Sequence, residues 1–118
     1  MRPGQVQPNE LEEAILDRIA KDEHWLRLPA EGLRVLSRKY TGVGCYTTFQ
    51  CDLPKQSNDP IPGLKPLIRL PNVPNGLGAV LFCRSNQPDF LELFTYGDDL
   101  WDGNYDGFYF DESVRLPD

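Results

Sequence analysis

The 118-residue chain has one histidine, one methionine and three cysteines. With His24 alone, a histidine-rich zinc site is excluded. Three thiols are an odd number, which suits a reducing compartment rather than a disulfide framework. Cys45 and Cys51 fall in one extended stretch, where ~3.3 Å per residue separates them by roughly 20 Å, too far for a bridge unless the strand folds back. No apolar run approaches the ~20 residues of a membrane span, so no membrane association is expected. The opening MRPGQVQPNE contains no apolar h-region, so no secretory signal is expected and the cytoplasm is the expected compartment. Nucleotide fingerprints are missing as well. Thr41-Gly42-Val43-Gly44 reads as a hairpin turn and Asn75-Gly76-Leu77-Gly78 enters a strand.

Cations are scarce where acid is dense. The net charge of −6 divides into −1 over residues 1–53, +3 over 54–88 and −8 over 89–118, where Arg115 is the only basic residue. Residues 89–112 hold eight carboxylates and eight aromatics with no Lys or Arg. Such a field repels nucleic-acid phosphates and anionic lipid and favours a basic protein partner. Solubility alone is the plainer reading of the same charge. Within the stretch, Trp101-Asp102-Gly103 is echoed by Tyr105-Asp106-Gly107, a tight acidic ribbon. The partner-binding residues expected from it are Asp98, Asp99, Trp101, Asp102, Tyr105 and Asp106. Trp and Tyr give contact area at low entropy cost, and the carboxylates steer association.

The pattern predicts an α+β fold of one domain over 1–118, with residues 1–8 a loose lead-in. Asn9 followed by Glu12 is a capping-box start, and Leu11, Ala14, Ile15 and Ile19 recur at helical spacing, predicting an amphipathic helix over 10–21. That helix should pack on an antiparallel sheet of four to six strands. A strand is expected over 33–40. Its partner alternates, with Cys45, Thr47, Phe49, Cys51 and Leu53 on one side and Tyr46, Thr48, Gln50 and Asp52 on the other. Residues 54–76 carry six prolines and several aliphatics, predicting an ordered proline-rich crossing against the sheet, with a short edge strand over 67–70. Residues 77–84 are apolar on both faces and read as a central strand, with 90–96 pairing back antiparallel after a loop.

Two segments together, Arg38-Lys39-Tyr40-Thr41-Gly42-Val43-Gly44-Cys45-Tyr46-Thr47-Thr48-Phe49 and Leu91-Glu92-Leu93-Phe94-Thr95-Tyr96-Gly97, resemble segments of a group of small bacterial proteins. Those proteins often have Phe-Phe where this chain has Cys45-Tyr46. The resemblance covers about a third of the chain and implies a bacterial cytosolic domain. It implies no reaction, so no catalytic residue carries over. A broader likeness, to small acidic immunity proteins that neutralise toxins, rests on size, charge and aromatic content.

Reactive chemistry has few candidates. Asp102-Gly103-Asn104-Tyr105-Asp106-Gly107 fits the start of a calcium loop, but its twelfth position is Ser113 and its flanks read as strands, so two Asp-Gly turns without metal are the simpler expectation. A thiol nucleophile would need His24 beside a cysteine, and Cys51 and Cys83 read as packing residues. Glu92 stands between apolar neighbours, where a buried carboxylate is costly unless paired. It would pair with an arginine such as Arg38, Arg69 or Arg84, or else line a pocket with Arg38 and Tyr96. The chain is thus expected to be a small acidic protein-binding module, an immunity-type inhibitor of a basic partner being one form. The alternative is a small enzyme or ligand binder built on Glu92. No catalytic residue, metal or cofactor is expected, and the oligomeric state is left open.

Overall fold

A computed structural model describes residues 6–115. One helix, α1 (Glu10–Asp22), precedes six strands: β1 (Val35–Tyr40), β2 (Gly44–Phe49), β3 (Pro66–Leu70), β4 (Val73–Arg84), β5 (Gln87–Thr95) and β6 (Tyr109–Arg115). They form one sheet in the order β1-β2-β5-β4-β3-β6, every neighbouring pair antiparallel. The fold is α+β, dominated by its sheet.

Local chemistry explains the element ends. The Asn9 side chain accepts from the Glu12 amide (2.8 Å) and the Glu12 side chain accepts from the Asn9 amide (2.9 Å), so the expected capping box forms. Leu11, Ile15, Leu16 and Ile19 are buried and turn α1 onto the sheet. The β1–β2 turn places Gly42 at φ +89°, a region closed to most side chains. At β4–β5 a tight turn replaces the expected loop. Ser85 and Asn86 both take positive φ (51° and 66°), as a two-residue hairpin whose twist matches its strands requires.

The alternation read in β2 holds from Cys45 to Phe49: Cys45, Thr47 and Phe49 are buried, and Tyr46 is exposed. The strand ends there, so Cys51 is half-buried and Leu53 exposed. Leu91 and Leu93 of β5 face Leu81 and Ala79 of β4, and these form the core with α1. β4 is interior, as its two-sided apolar sequence suggested. β3 is not an edge strand, because β6 pairs outside it.

The proline-rich stretch takes the chain from β2 to β3 by a different route from that expected. It rounds the tip of the β4–β5 hairpin, where the Ser85 hydroxyl donates to the Pro54 carbonyl (2.6 Å) and the Ser85 amide to Asp59 (2.9 Å). Residues 60–64 then lie along the side of β4: the Leu81 amide donates to Pro62 O (2.8 Å) and the Leu64 amide to Ala79 O (2.9 Å). The Pro60 and Pro62 carbonyls accept from β4 amides, and the N–H that each proline lacks on that same side leaves this ladder incomplete. The segment that returns over the core is instead the ribbon at 96–108. It leaves β5, touches the β1–β2 turn through Trp101 N–H to Gly42 O (2.9 Å), and ends at β6 on the far edge.

Candidate interaction surfaces

The ribbon divides its residues sharply. Trp101 is only 6% exposed and belongs to the core, its indole N–H donating to Asn104 O (2.9 Å) and its ring meeting Tyr40 edge-on at 6.2 Å. Tyr105 and Phe108 also pack against the core, edge to face at 6.3 Å. The expectation that Trp101 projects to a partner is therefore corrected. A glycine stands two residues after Trp101 because a Cβ at Gly103 would lie 2.6 Å from the Tyr40 ring, and Trp101 is buried because apolar area this large is more stable in the core than in water. Tyr105 is half-buried for the same reason.

The ribbon's carboxylates take the other side. Asp98, Asp102 and Asp106 are exposed. Asp99 is half-buried and clamps the β4 entrance, accepting from the Asn75 amide (2.8 Å) and side chain (3.3 Å). Among the described residues, none of these four forms an ion pair with a Lys or Arg. Asp102 Oδ1 accepts from the Asn104 amide and Asn104 Oδ1 from the Asp106 amide, each at 2.9 Å, so the calcium-like sequence builds two successive Asx turns. No group of three or more His, Cys, Asp or Glu side chains suited to a metal ion occurs among the described residues.

Between the ribbon and the β3–β4 turn lies a shallow cleft of about 230 Å³, floored by Leu70, Val73 and Trp101 and edged by Asp102 and Asp106. Leu100, at its lip, is 75% exposed, the most exposed large apolar residue of the described chain. Sequence reasoning missed it. The signal was present, since Leu100 is the only aliphatic residue between Leu93 and Val114.

The residues grouped around Glu92 do not assemble. Arg38 stands opposite Thr47 on the helix side of the sheet, while Glu92 lies opposite Tyr46 on the other face. Glu92 is half-exposed and its carboxylate accepts from the Tyr46 hydroxyl at 3.3 Å. Tyr96 lies on Glu92's side of the sheet, its ring edge-on to Phe94 at 5.5 Å. Arg69 pairs with Asp111 (3.0 Å) and Arg84 with Asp89 (3.5 Å), so neither serves Glu92.

The buried carboxylate is Glu12, on the helix. It is 1% exposed and receives four hydrogen bonds: Arg38 Nε (2.9 Å), Arg38 Nη2 (2.6 Å), Thr47 Oγ1 (2.7 Å) and the Asn9 amide (2.9 Å). Burial pushes its pKa up, but the bonds from Arg38, Thr47 and Asn9 with the Arg38 charge outweigh this and hold it below the usual carboxylate range. Every lone-pair direction is engaged, so the group is a structural tie. A second tie, Arg18 to Asp22 and Glu112, joins the other half of α1 to β6. Helical spacing from Glu12 through Ile15 and Leu16 to Ile19 was the sequence signal that Glu12 faces inward.

Thiol chemistry has no geometry. Burial raises the Cys45 thiol, and burial with Asp59 and Asp89 nearby pushes Cys83 up to about 12. His24 is exposed and bonds to no cysteine among the described residues. No known protein family, curated protein or solved structure matches the chain. No helix among the described residues is long and apolar enough to cross a membrane.

Proposed function

We propose that the chain is a protein-binding module whose partner is basic and meets the outer side of the acidic ribbon. The observation that carries this reading is the exposed pair Asp102 and Asp106 edging a cleft whose lip is the exposed Leu100, with the exposed Asp98 two residues before that leucine. A hydration role would need only the carboxylates. An exposed leucine beside an apolar-floored cleft adds the desolvating contact that slows dissociation, while the acids raise the encounter rate. In this reading Leu100 replaces Trp101 as the apolar anchor, and Trp101 holds the ribbon in place beneath it. An immunity-type inhibitor in a bacterial cytoplasm is the form of the proposal that the small size and acidity suit.

Quantitative capture from the native host tests it. Wild-type protein should retain one or a few basic proteins, and the triple variant Asp98→Asn, Asp102→Asn, Asp106→Asn should lose them without a change in thermal stability. Equal capture by both proteins would remove the ribbon as the interface.

A further inference from the structure

The face of the sheet turned away from α1 carries more aromatic surface than a solvated face needs. Antiparallel sheets packed on one side usually show polar residues on the other. Here β5 presents Phe90, Glu92 and Phe94 on that face, since Leu91 and Leu93 between them are buried in the core. Phe90 stacks on Phe82 of β4, ring centroids 4.2 Å apart and planes within 11°. Phe94 meets Tyr96 edge-on, and its ring lies over Gly78, where a Cβ would come within 2.7 Å of it. Across β2, Tyr46 stands opposite Glu92 with 40% of its surface exposed and its hydroxyl on the carboxylate.

Glu92 is thus a carboxylate set between two aromatic pairs, each about 7 Å away along the strand at ~3.4 Å per residue. No Lys or Arg among the described residues forms an ion pair with it. Its charge decides what can cover this face. An apolar partner would bury Glu92 with only the Tyr46 hydroxyl on it, which costs several kcal/mol. A planar guanidinium answers the carboxylate with two N–H bonds and lies on ring faces within the ~6 Å reach of a cation–π contact. An ammonium offers neither the fork nor the stacking plane.

We propose that this face docks an arginine side chain of a protein partner, seated on Glu92 between the Phe82–Phe90 and Phe94–Tyr96 pairs. The proposal stands apart from the ribbon reading, because its residues lie on the sheet and not in the 98–106 loop.

The test is a ¹H–¹⁵N NMR titration of the full chain with an acetylated, amidated Leu-Arg-Leu peptide and with its citrulline counterpart, which keeps the shape and removes the charge. The arginine peptide should shift the amides of Tyr46, Val80, Phe90, Glu92 and Phe94. It should bind at least about tenfold more tightly than the citrulline peptide, as a charge-assisted bond requires. Glu92→Gln should reduce the arginine affinity to the citrulline level. Equal binding of the two peptides, shifts confined to residues 98–106, or no shift at millimolar peptide would each overturn the proposal. So would concentration-dependent dimerisation through these residues in sedimentation. The peptide comparison on wild-type protein needs no variant to fold.

Discussion

Replacing Arg38 by Met tests whether Glu12 is held by charge or merely tolerated. The substitution removes two of the four donors to the Glu12 carboxylate, and with them the one positive charge paired with it among the described residues. The Glu12 side chain is 2% exposed and cannot turn to water without unpacking α1 from the sheet. Breaking a buried pair from one side costs about 3–5 kcal/mol. Thr47 and the Asn9 amide remain, and Arg38 is itself 20% exposed, so the lower end of that range is expected. A loss near 3 kcal/mol lowers the melting temperature of a domain this size by roughly 10–15 °C. Urea unfolding of wild type, Arg38→Met, Glu12→Leu and the double variant closes a thermodynamic cycle. The double variant should lose less than Arg38→Met alone, because no charge is stranded. A loss under about 1 kcal/mol for Arg38→Met, or a double variant worse than the single, would refute the argument.

The same site gives a pH dependence. A carboxyl whose pKa is lowered by folding stabilises above its unfolded value of about 4.3, and that stability is lost as pH falls through the folded value. Stability should therefore decline below about pH 4.3, and the slope should be shallower in Glu12→Gln. Trp101→Ala should destabilise by about 3–5 kcal/mol and Leu81→Ala by about 2–5, measured by chemical denaturation, since both are buried in the core. Phe94→Ala should cost under about 2 kcal/mol, because that ring lies on the outer face and is only half-buried. With Ellman's reagent, Cys51 should react in the native protein, while Cys45 and Cys83 should wait for denaturant.

Sequence periodicity served well wherever a pattern was local. The helix expected over 10–21 is observed as Glu10–Asp22, capped by Asn9. The faces of β2 follow from its alternation, and β4 is interior as its apolar run implied. Non-local pairing was less legible. The bounds and partner of β6 are not legible because Tyr109–Arg115 mixes aromatics with acids, and its pairing with β3 lies some forty residues back in the chain. Glu92 was singled out by its apolar neighbours, yet alternation alone places it on the open face once Leu91 and Leu93 point inward. Glu12 was read only as a capping residue, and its burial needed the position of Arg38 on β1 to be recognised. In the ribbon, composition could not say which side chains turn inward. The structure packs the aromatics Trp101 and Tyr105 in or against the core and leaves Asp98, Asp102 and Asp106 outside.

That division is the basis of the functional proposal, and the association rate with a captured partner probes it most directly. Exposed charges act over ~8 Å at physiological ionic strength, so steering by the ribbon must weaken as salt rises. Surface plasmon resonance at two salt concentrations should show a wild-type on-rate that falls with salt. The Asp98→Asn, Asp102→Asn, Asp106→Asn variant should start slower and respond little to salt, and Leu100→Ser should raise the off-rate instead. An on-rate that is the same for wild type and the triple variant at both salt concentrations would contradict the proposal.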